Sequence, residues 1–295
     1  MTPFKPVDDD FAELEYGAAD LEPISLAERK ARCARFAAAM GERGVDAFLC
    51  EPGSTLRYLT GVGGGKSERL FGLVLFADGA LLWVTPSFEA ERMRKLVAEG
   101  PGGALVGWDE HEYAYAPLAA ALAERRAERL AVDPQLRHVF AAGMARKLGW
   151  ERVLDGSALV DGVRGIKDAH ELALLRRANE LTVRAFAAVA ERVVPGLTAR
   201  QVADLIVRAQ AKLGLTEIWN LTLGGPESAE PHGATTDTPL AKGAVLLIDT
   251  GGSLFGYQSD NTRTWVVGGA PSAEVAKVWA VVHDARMRAF EAIRP

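Results

Sequence analysis

Val245-Leu246-Leu247-Ile248-Asp249-Thr250-Gly251-Gly252-Ser253-Leu254-Phe255-Gly256-Tyr257-Gln258-Ser259-Asp260-Asn261-Thr262-Arg263-Thr264-Trp265 is the stretch whose reading decides the architecture of this chain. Ala244 to Ile248 is an apolar run that reads as a buried strand, and Thr262 to Val267 reads as the strand that returns beside it. Gly251, Gly252, Ser253 and Gly256 supply turn residues between them, so the segment is expected to be a hairpin. A carboxylate at the end of one strand and another at the start of the next then converge across the pair. Two unneutralised carboxylates repel, so such a pair shares a proton or faces a cation with oxygen-rich coordination, of the kind Mn, Co, Zn or Mg accepts. The plainer alternative is that Asp249 and Asp260 each close a local turn through their own backbone.

A third residue belongs with them. His232 lies in Gly224-Gly225-Pro226-Glu227-Ser228-Ala229-Glu230-Pro231-His232-Gly233, a loop too rich in Gly and Pro to continue a helix, preceded by the strand-like Ile218 to Leu223. A histidine on such a loop is either a solvated surface residue or a ligand or catalyst.

Pro231-His232-Gly233, Leu247-Ile248-Asp249-Thr250-Gly251 and Ser259-Asp260-Asn261-Thr262-Arg263-Thr264 together resemble the catalytic core of the pita-bread metallopeptidases: aminopeptidase P, prolidase and, more distantly, methionine aminopeptidase and creatinase. The resemblance implies that Asp249 and Asp260 are metal ligands and that His232 contacts substrate and stabilises the reaction. It also implies two divalent metal ions (Mn, Co or Zn), proline-containing peptides as substrates and a homodimer. Thr262 and Arg263 are expected to support the strand and Asp260 rather than to react. Gly44 to Gly61 resembles the start of the creatinase-type N-terminal domain, and Val163-Arg164-Gly165-Ile166-Lys167-Asp168-Ala169-His170-Glu171-Leu172 resembles the junction into the catalytic domain.

The family completes its site with a His-rich segment and two glutamates, and nothing after Asp260 resembles these. His283 sits in a continuous helical pattern from Ser272 to Ile293 and reads as an ordinary helix residue. The expectation is a chain truncated before the second half of the catalytic domain, and inactive as it stands. The domains expected are an extension over 1–23, a creatinase/prolidase-like domain over 24–162, and the first half of a pita-bread domain over 163–295.

Composition agrees with a globular two-domain protein: 295 residues, 48% hydrophobic and 25% charged, are enough for two cores. A net charge of -5, with no Lys/Arg cluster interleaved with aromatics, argues against nucleic acid as the main partner. No run is long enough to span a bilayer, the acidic start has no apolar leader, and Cys33 and Cys50 are too sparse for a disulfide framework. The cytoplasm is the expected location. Gly61-Val62-Gly63-Gly64-Gly65-Lys66-Ser67 has the look of a phosphate-binding loop but fails its register, since Thr60 stands where the first glycine is needed and a strand rather than a helix follows. That loop is either solvated or projects toward an active site, in which case Lys66 and Arg69 are candidate ligands for a substrate carboxylate.

The remaining pattern alternates. Helices are expected over Leu26 to Arg43, Phe88 to Ala98, Tyr115 to Arg129 and Val139 to Leu148. Strands are expected over Ala47 to Cys50, Gly72 to Phe76, Leu81 to Thr85 and Leu130 to Val132, in a mixed sheet. Asp168 with Glu171, and Thr198 with Gln201, stand at capping-box spacing before two further helices. The fold class is α/β (α+β). The expected activity is metal-dependent hydrolysis of the peptide bond before proline, by an Xaa-Pro aminopeptidase or dipeptidase. The alternatives are a non-catalytic peptide-binding homologue and a metal-free creatinase-like C-N hydrolase.

Overall fold

Ser25 starts the first helix by a reciprocal cap. Its hydroxyl accepts from the Glu28 N–H, and the Glu28 carboxylate accepts from the Ser25 N–H at 2.7 Å. The computed structural model describes residues 11–233 and 236–294. The chain forms two units, one from Glu22–His170 and one from the segments up to Leu21 and from Glu171 onward.

The N-terminal unit runs α1 (Leu26–Glu42), β1 (Ala47–Cys50), α2 (Ser54–Thr60), β2 (Gly72–Phe76), β3 (Leu81–Pro86), α3 (Ala90–Glu99), β4 (Ala104–Trp108), α4 (Tyr115–Glu124), β5 (Leu130–Val132), α5 (His138–Leu148), β6 (Val153–Asp155) and α6 (Ser157–Arg164). The sheet order is β4-β3-β2-β1-β5-β6, antiparallel at β1/β2 and β2/β3 and parallel elsewhere. Every residue of β1 and β2 is buried, as expected of strands covered on both faces. The period of two sorts them. Phe48, Cys50, Leu73, Leu75 and Trp83 face one core with Phe36, Leu59 and Met93, whereas Ala47, Leu49, Val74, Phe76 and Val84 face another with Leu118 and Phe140. The helix expected over Tyr115 to Arg129 stops at Glu124, because Arg126 takes the left-handed conformation (φ 55°) and turns the chain into β5.

The two ends of this unit meet at His170, whose Nδ1 lies 2.7 Å from Glu28 Oε1 and whose Nε2 lies 3.0 Å from the Glu22 carbonyl. The Ser25 hydrogen bond, and then that of His170, hold the Glu28 carboxyl down to about 2. Glu28 in turn raises His170 above its ordinary value.

The C-terminal unit contains α7 from Glu171 onward (the helix spans Ala169–Ala190), α8 (Ala199–Lys212), β7 (Thr216–Gly224), β8 (Val245–Leu254), β9 (Tyr257–Gln258), β10 (Asn261–Val266) and α9 (Ala273–Ala292). Thr198 and Gln201 form the expected capping box of α8. The sheet is antiparallel, β10-β8-β7, with β9 continuing the hairpin from β8. Leu246, Ile248 and Leu254 pack with Leu181, Ala185, Leu205 and Ile206 of α7 and α8. Phe11, Leu14 and Ala18, from the segment read as an extension, are buried in this same core. No residue of α9 is buried, and Val278, Trp279, Val282 and Phe290 are exposed.

Gly251, Gly252 and Ser253 are not the turn expected of them. They lie inside β8, and the reversal is made by Phe255 (φ 51°) and Gly256 (φ 94°), both in the left-handed conformation that a two-residue hairpin turn needs. Gly251 is required for a different reason: a Cβ there would meet the Ser259 carbonyl oxygen at 1.8 Å.

Candidate active site

Asp249 sits mid-strand in β8 with Thr262 of β10 as its register partner, and Asn261 pairs with Thr250. Beyond the ladder the same register continues, since the Ser259 N–H donates to the Gly252 carbonyl at 2.9 Å and Gln258 pairs with Ser253. Asp260 therefore falls opposite Gly251, two positions from Thr262. Asp249, Thr262 and Asp260 share one face of the sheet, with the aspartates on a diagonal at a Cα spacing of about 7–8 Å. The Thr262 hydroxyl donates to Asp249 Oδ1 at 2.5 Å.

His232 is exposed, in a turn that follows the 3-10 helix Gly225–Ala229. Residues 234 and 235 lie outside the described residues. A Cβ on Gly233 would lie 3.5 Å from Leu221 Cδ1, and Leu221 is the β7 register partner of Asp249. The loop bearing His232 thus comes down on the residue directly across from Asp249. Arg263 points the other way, as its neighbouring position on the strand demands, and its guanidinium lies 5.7 Å from the Phe186 ring centre on the helix-covered face. The Tyr257 hydroxyl donates to the buried Glu171 carboxylate at 2.9 Å.

Lys66 and Arg69 are engaged inside the N-terminal unit. Lys66 Nζ bonds Glu51 Oε1 at 3.1 Å and the Gln135 carbonyl at 3.0 Å, and Arg69 pairs with Glu110 and Glu68. Burial pushes the Glu51 carboxyl up, and the hydrogen bonds from Arg137 and Lys66 together outweigh it, leaving the group below its ordinary value. Asp109, His111 and Glu112 also cluster in this unit, but all three are exposed and nothing else there points to an ion.

The sequence reading passed over the side of the hairpin that the aspartates do not face. Thr250, Ser259 and Asn261 alternate with Asp249, Asp260 and Thr262, and they bond to Gln210 of α8 and to Thr182 and Asn179 of α7. The signal was present as polar residues at both parities of a strand pair, which requires polar partners on the buried side.

Residues 173–295 match metallopeptidase family M24, and residues 32–166 match the creatinase/prolidase N-terminal domain. A probable dipeptidase PepE of Mycobacterium tuberculosis is 33% identical over 266 residues, which is 90% of this chain and 70% of that protein. The chain belongs to metallopeptidase family M24. An uncharacterized peptidase of Schizosaccharomyces pombe is 30% identical, over 85% of this chain and 58% of its own length. Among solved structures, dipeptidase PepE from Mycobacterium ulcerans has a TM-score of 0.78 at 29% identity, covering 88% of this chain and 70% of that one. A prolidase from Thermococcus sibiricus has a TM-score of 0.79 at 28% identity, covering 92% and 73%. The fold is that of pita-bread peptidases carrying a creatinase-type N-terminal domain. Membership in M24 makes the chain a metal-dependent peptidase by family. The donor set fits such an ion: two carboxylates on one sheet face, one of them oriented by a hydroxyl, suit a hard or borderline divalent cation. Among the described residues, no helix is long and apolar enough to cross a membrane.

Proposed function

We propose that this chain carries part of the catalytic centre of a peptidase that cleaves the bond preceding proline, as an Xaa-Pro dipeptidase or aminopeptidase. The observation that carries the reading is the shared sheet face of Asp249 and Asp260, set by the register that runs through Gly251. A pair of divalent ions, Mn, Co or Zn, supplies polarisation of the scissile carbonyl and a nucleophile competent at neutral pH. Asp249 and Asp260 offer the carboxylate oxygens that hold the ions. The Thr262 hydroxyl fixes the Asp249 rotamer by occupying one oxygen. His232 reaches from the facing loop and donates a ring N–H to the charge that develops on the carbonyl oxygen. Arg263 keeps the strand against α7 through Phe186. The name prolidase borne by a relative of the same fold supports the substrate class.

Because catalytic zinc-like sites take about three protein ligands per ion, Asp249 and Asp260 alone bind an ion weakly and do not support turnover. Residues 1–295 assayed by themselves should therefore show no hydrolysis of Ala-Pro with added Mn or Co. The protein expressed from its native gene should cleave Ala-Pro in preference to Ala-Ala, and Asp260→Ala should abolish this and release metal. Wild-type turnover with unchanged metal content in that variant would sink the assignment.

A further inference from the structure

Behind the aspartates, on the covered side of the same hairpin, lies a chain of four side chains that no water reaches: Thr182, Gln210, Thr250 and Ser259 are all 0% exposed. Without solvent, every proton in the chain has to be placed within it, and the partners fix its direction. Thr250 Oγ1 lies 2.5 Å from the Trp219 carbonyl, which only accepts, so the Thr250 proton goes there. Thr250 must then accept from Gln210 Nε2 at 2.9 Å, which turns Gln210 Oε1 toward Thr182. Thr182 supplies the donor that this oxygen needs, sharing its proton with the Ala178 carbonyl at 3.1 Å. Ser259 accepts the Gly252 N–H at 2.9 Å and, because the Thr182 proton is already committed, shares its own proton between Thr182 Oγ1 at 2.7 Å and the Gly252 carbonyl at 3.1 Å. One run of donors and acceptors thus leads from Gly252 through Ser259, Thr182, Gln210 and Thr250 to Trp219. It ties β7, β8 and the strand leading into β10 to α7 and α8. One turn earlier on α7, Asn179 Oδ1 accepts from Asn261 Nδ2 at 2.7 Å.

The anchored residues are the sequence neighbours of the two aspartates. Thr250 follows Asp249, while Ser259 and Asn261 flank Asp260. A residue fixed on one face of a strand fixes its neighbour on the other, since successive side chains alternate across a rigid backbone. We propose that Thr182 and Gln210 are positioning residues that set the separation of Asp249 and Asp260, and so the affinity of this face for a divalent cation. The proposal rests on the metal reading of the two aspartates above.

The test uses residues 1–295 and Mn alone, whose paramagnetism broadens nearby amide signals and reports even weak binding. In the wild type, broadening should centre on residues 249–251 and 260–262. Thr182→Val keeps the shape and removes the hydroxyl, and should weaken the apparent Kd at least tenfold while speeding exchange of the Gly252 amide at least tenfold. Thr182→Ser restores the hydroxyl and should return both within threefold of wild type. Gln210→Met should weaken the Kd as Thr182→Val does, and it carries the test if Thr182→Val does not fold. Ala185→Gly, elsewhere on α7, lowers the melting temperature without touching the chain of hydrogen bonds, and should leave the Kd within twofold.

A Kd within twofold of wild type in Gln210→Met and in folded Thr182→Val would overturn the proposal. So would an Ala185→Gly effect on Kd as large as theirs, since that would reduce the role to general stability. Failure of the metal reading looks different: Mn then broadens no signals at 249–251 and 260–262, or Asp249→Asn leaves the Kd unchanged. In that event the Gly252 exchange rates still decide whether Thr182 and Gln210 hold the hairpin.

Discussion

Replacing Gly251 by alanine should open the hairpin between the two aspartates. The new Cβ falls 1.8 Å from the Ser259 carbonyl oxygen, and real contacts of this type essentially never drop below 3.0 Å, so a backbone atom has to move by more than an ångström. A flexible side chain could swing aside, but a carbonyl in a paired strand cannot do so without its neighbours. The Ser259 N–H to Gly252 carbonyl bond and the Gly252 N–H to Ser259 Oγ bond, each 2.9 Å, lie beside the clash. Such a displacement would take either of them to about 4 Å, beyond hydrogen-bonding length. Two lost bonds at roughly 1 kcal/mol each, with overpacking strain of about 1–3 kcal/mol, give a destabilisation of about 3–5 kcal/mol for the C-terminal unit. Urea unfolding followed by circular dichroism measures it, and amide exchange at Gly252 localises it. Gly64→Ala, where the added atom meets nothing within 4 Å, is the control and should change stability by less than about 0.5 kcal/mol. A Gly251→Ala protein within about 1 kcal/mol of wild type, with Gly252 still protected, would refute the close approach as the reason for glycine.

His232→Ala in the protein from its native gene should lower turnover by about a hundredfold or more with metal content unchanged, as expected of a donor to transition-state charge. Metal loss in that variant would make His232 a ligand instead. The His170 contacts predict a pH dependence of stability in the N-terminal unit. Both partners, the Glu22 carbonyl and the ionised Glu28, only accept, so both ring nitrogens must carry protons, and the flanking Asp168 charge favours this. Glu28, held at about 2 against an ordinary 4.5, contributes stability above pH 4.5 that is lost as pH falls toward 2. His170, raised above 6.5, contributes fully below pH 6.5 and loses its contribution as pH rises through its folded value. Urea midpoints should therefore decline on the alkaline side, and His170→Ala should flatten that limb and shrink the acid limb, leaving there only what the Ser25 bond to Glu28 supplies. A variant with the wild-type pH profile would refute the pairing.

Strands buried on both faces were legible because their apolar runs are short and bounded by turn residues. Ala47–Cys50 and Gly72–Phe76 occur where the pattern placed them. Caps were legible too, since Thr198 and Gln201 bond at the spacing that two side chains and one helical turn impose. The helix Ser54–Thr60 and the strands β4 and β6 were not marked out, being short, and β4 offers two glycine or alanine positions in place of branched residues. Gly251 and Gly252 were misread because glycine marks both chain reversal and close strand approach, and only the partner strand tells these apart. That Asp249 and Asp260 fall on one face of the sheet followed from local pairing. Thr182 and Gln210 lay 77 and 40 residues from the hairpin positions they bond, and no local pattern reaches so far.

The placement of Phe11, Leu14 and Ala18 in the core of the C-terminal unit gives this chain a problem of timing during its synthesis. Phe11 is 0% exposed, under the Arg192 guanidinium, and a Cβ on Gly17 would fall 2.2 Å from Leu181 Cδ2, so a larger residue would have to displace that buried side chain. All of these partners are translated after the whole of Glu22–His170. At roughly 5–20 residues per second, Phe11, Leu14 and Ala18 wait about 10–40 s for the surface they will cover. During that interval the intervening unit can fold on its own, while the apolar segment bearing Phe11, Leu14 and Ala18 stays unburied. This segment is thus made before the unit it completes and docks late, and a protein begun at the start of α7 would lack part of its own core.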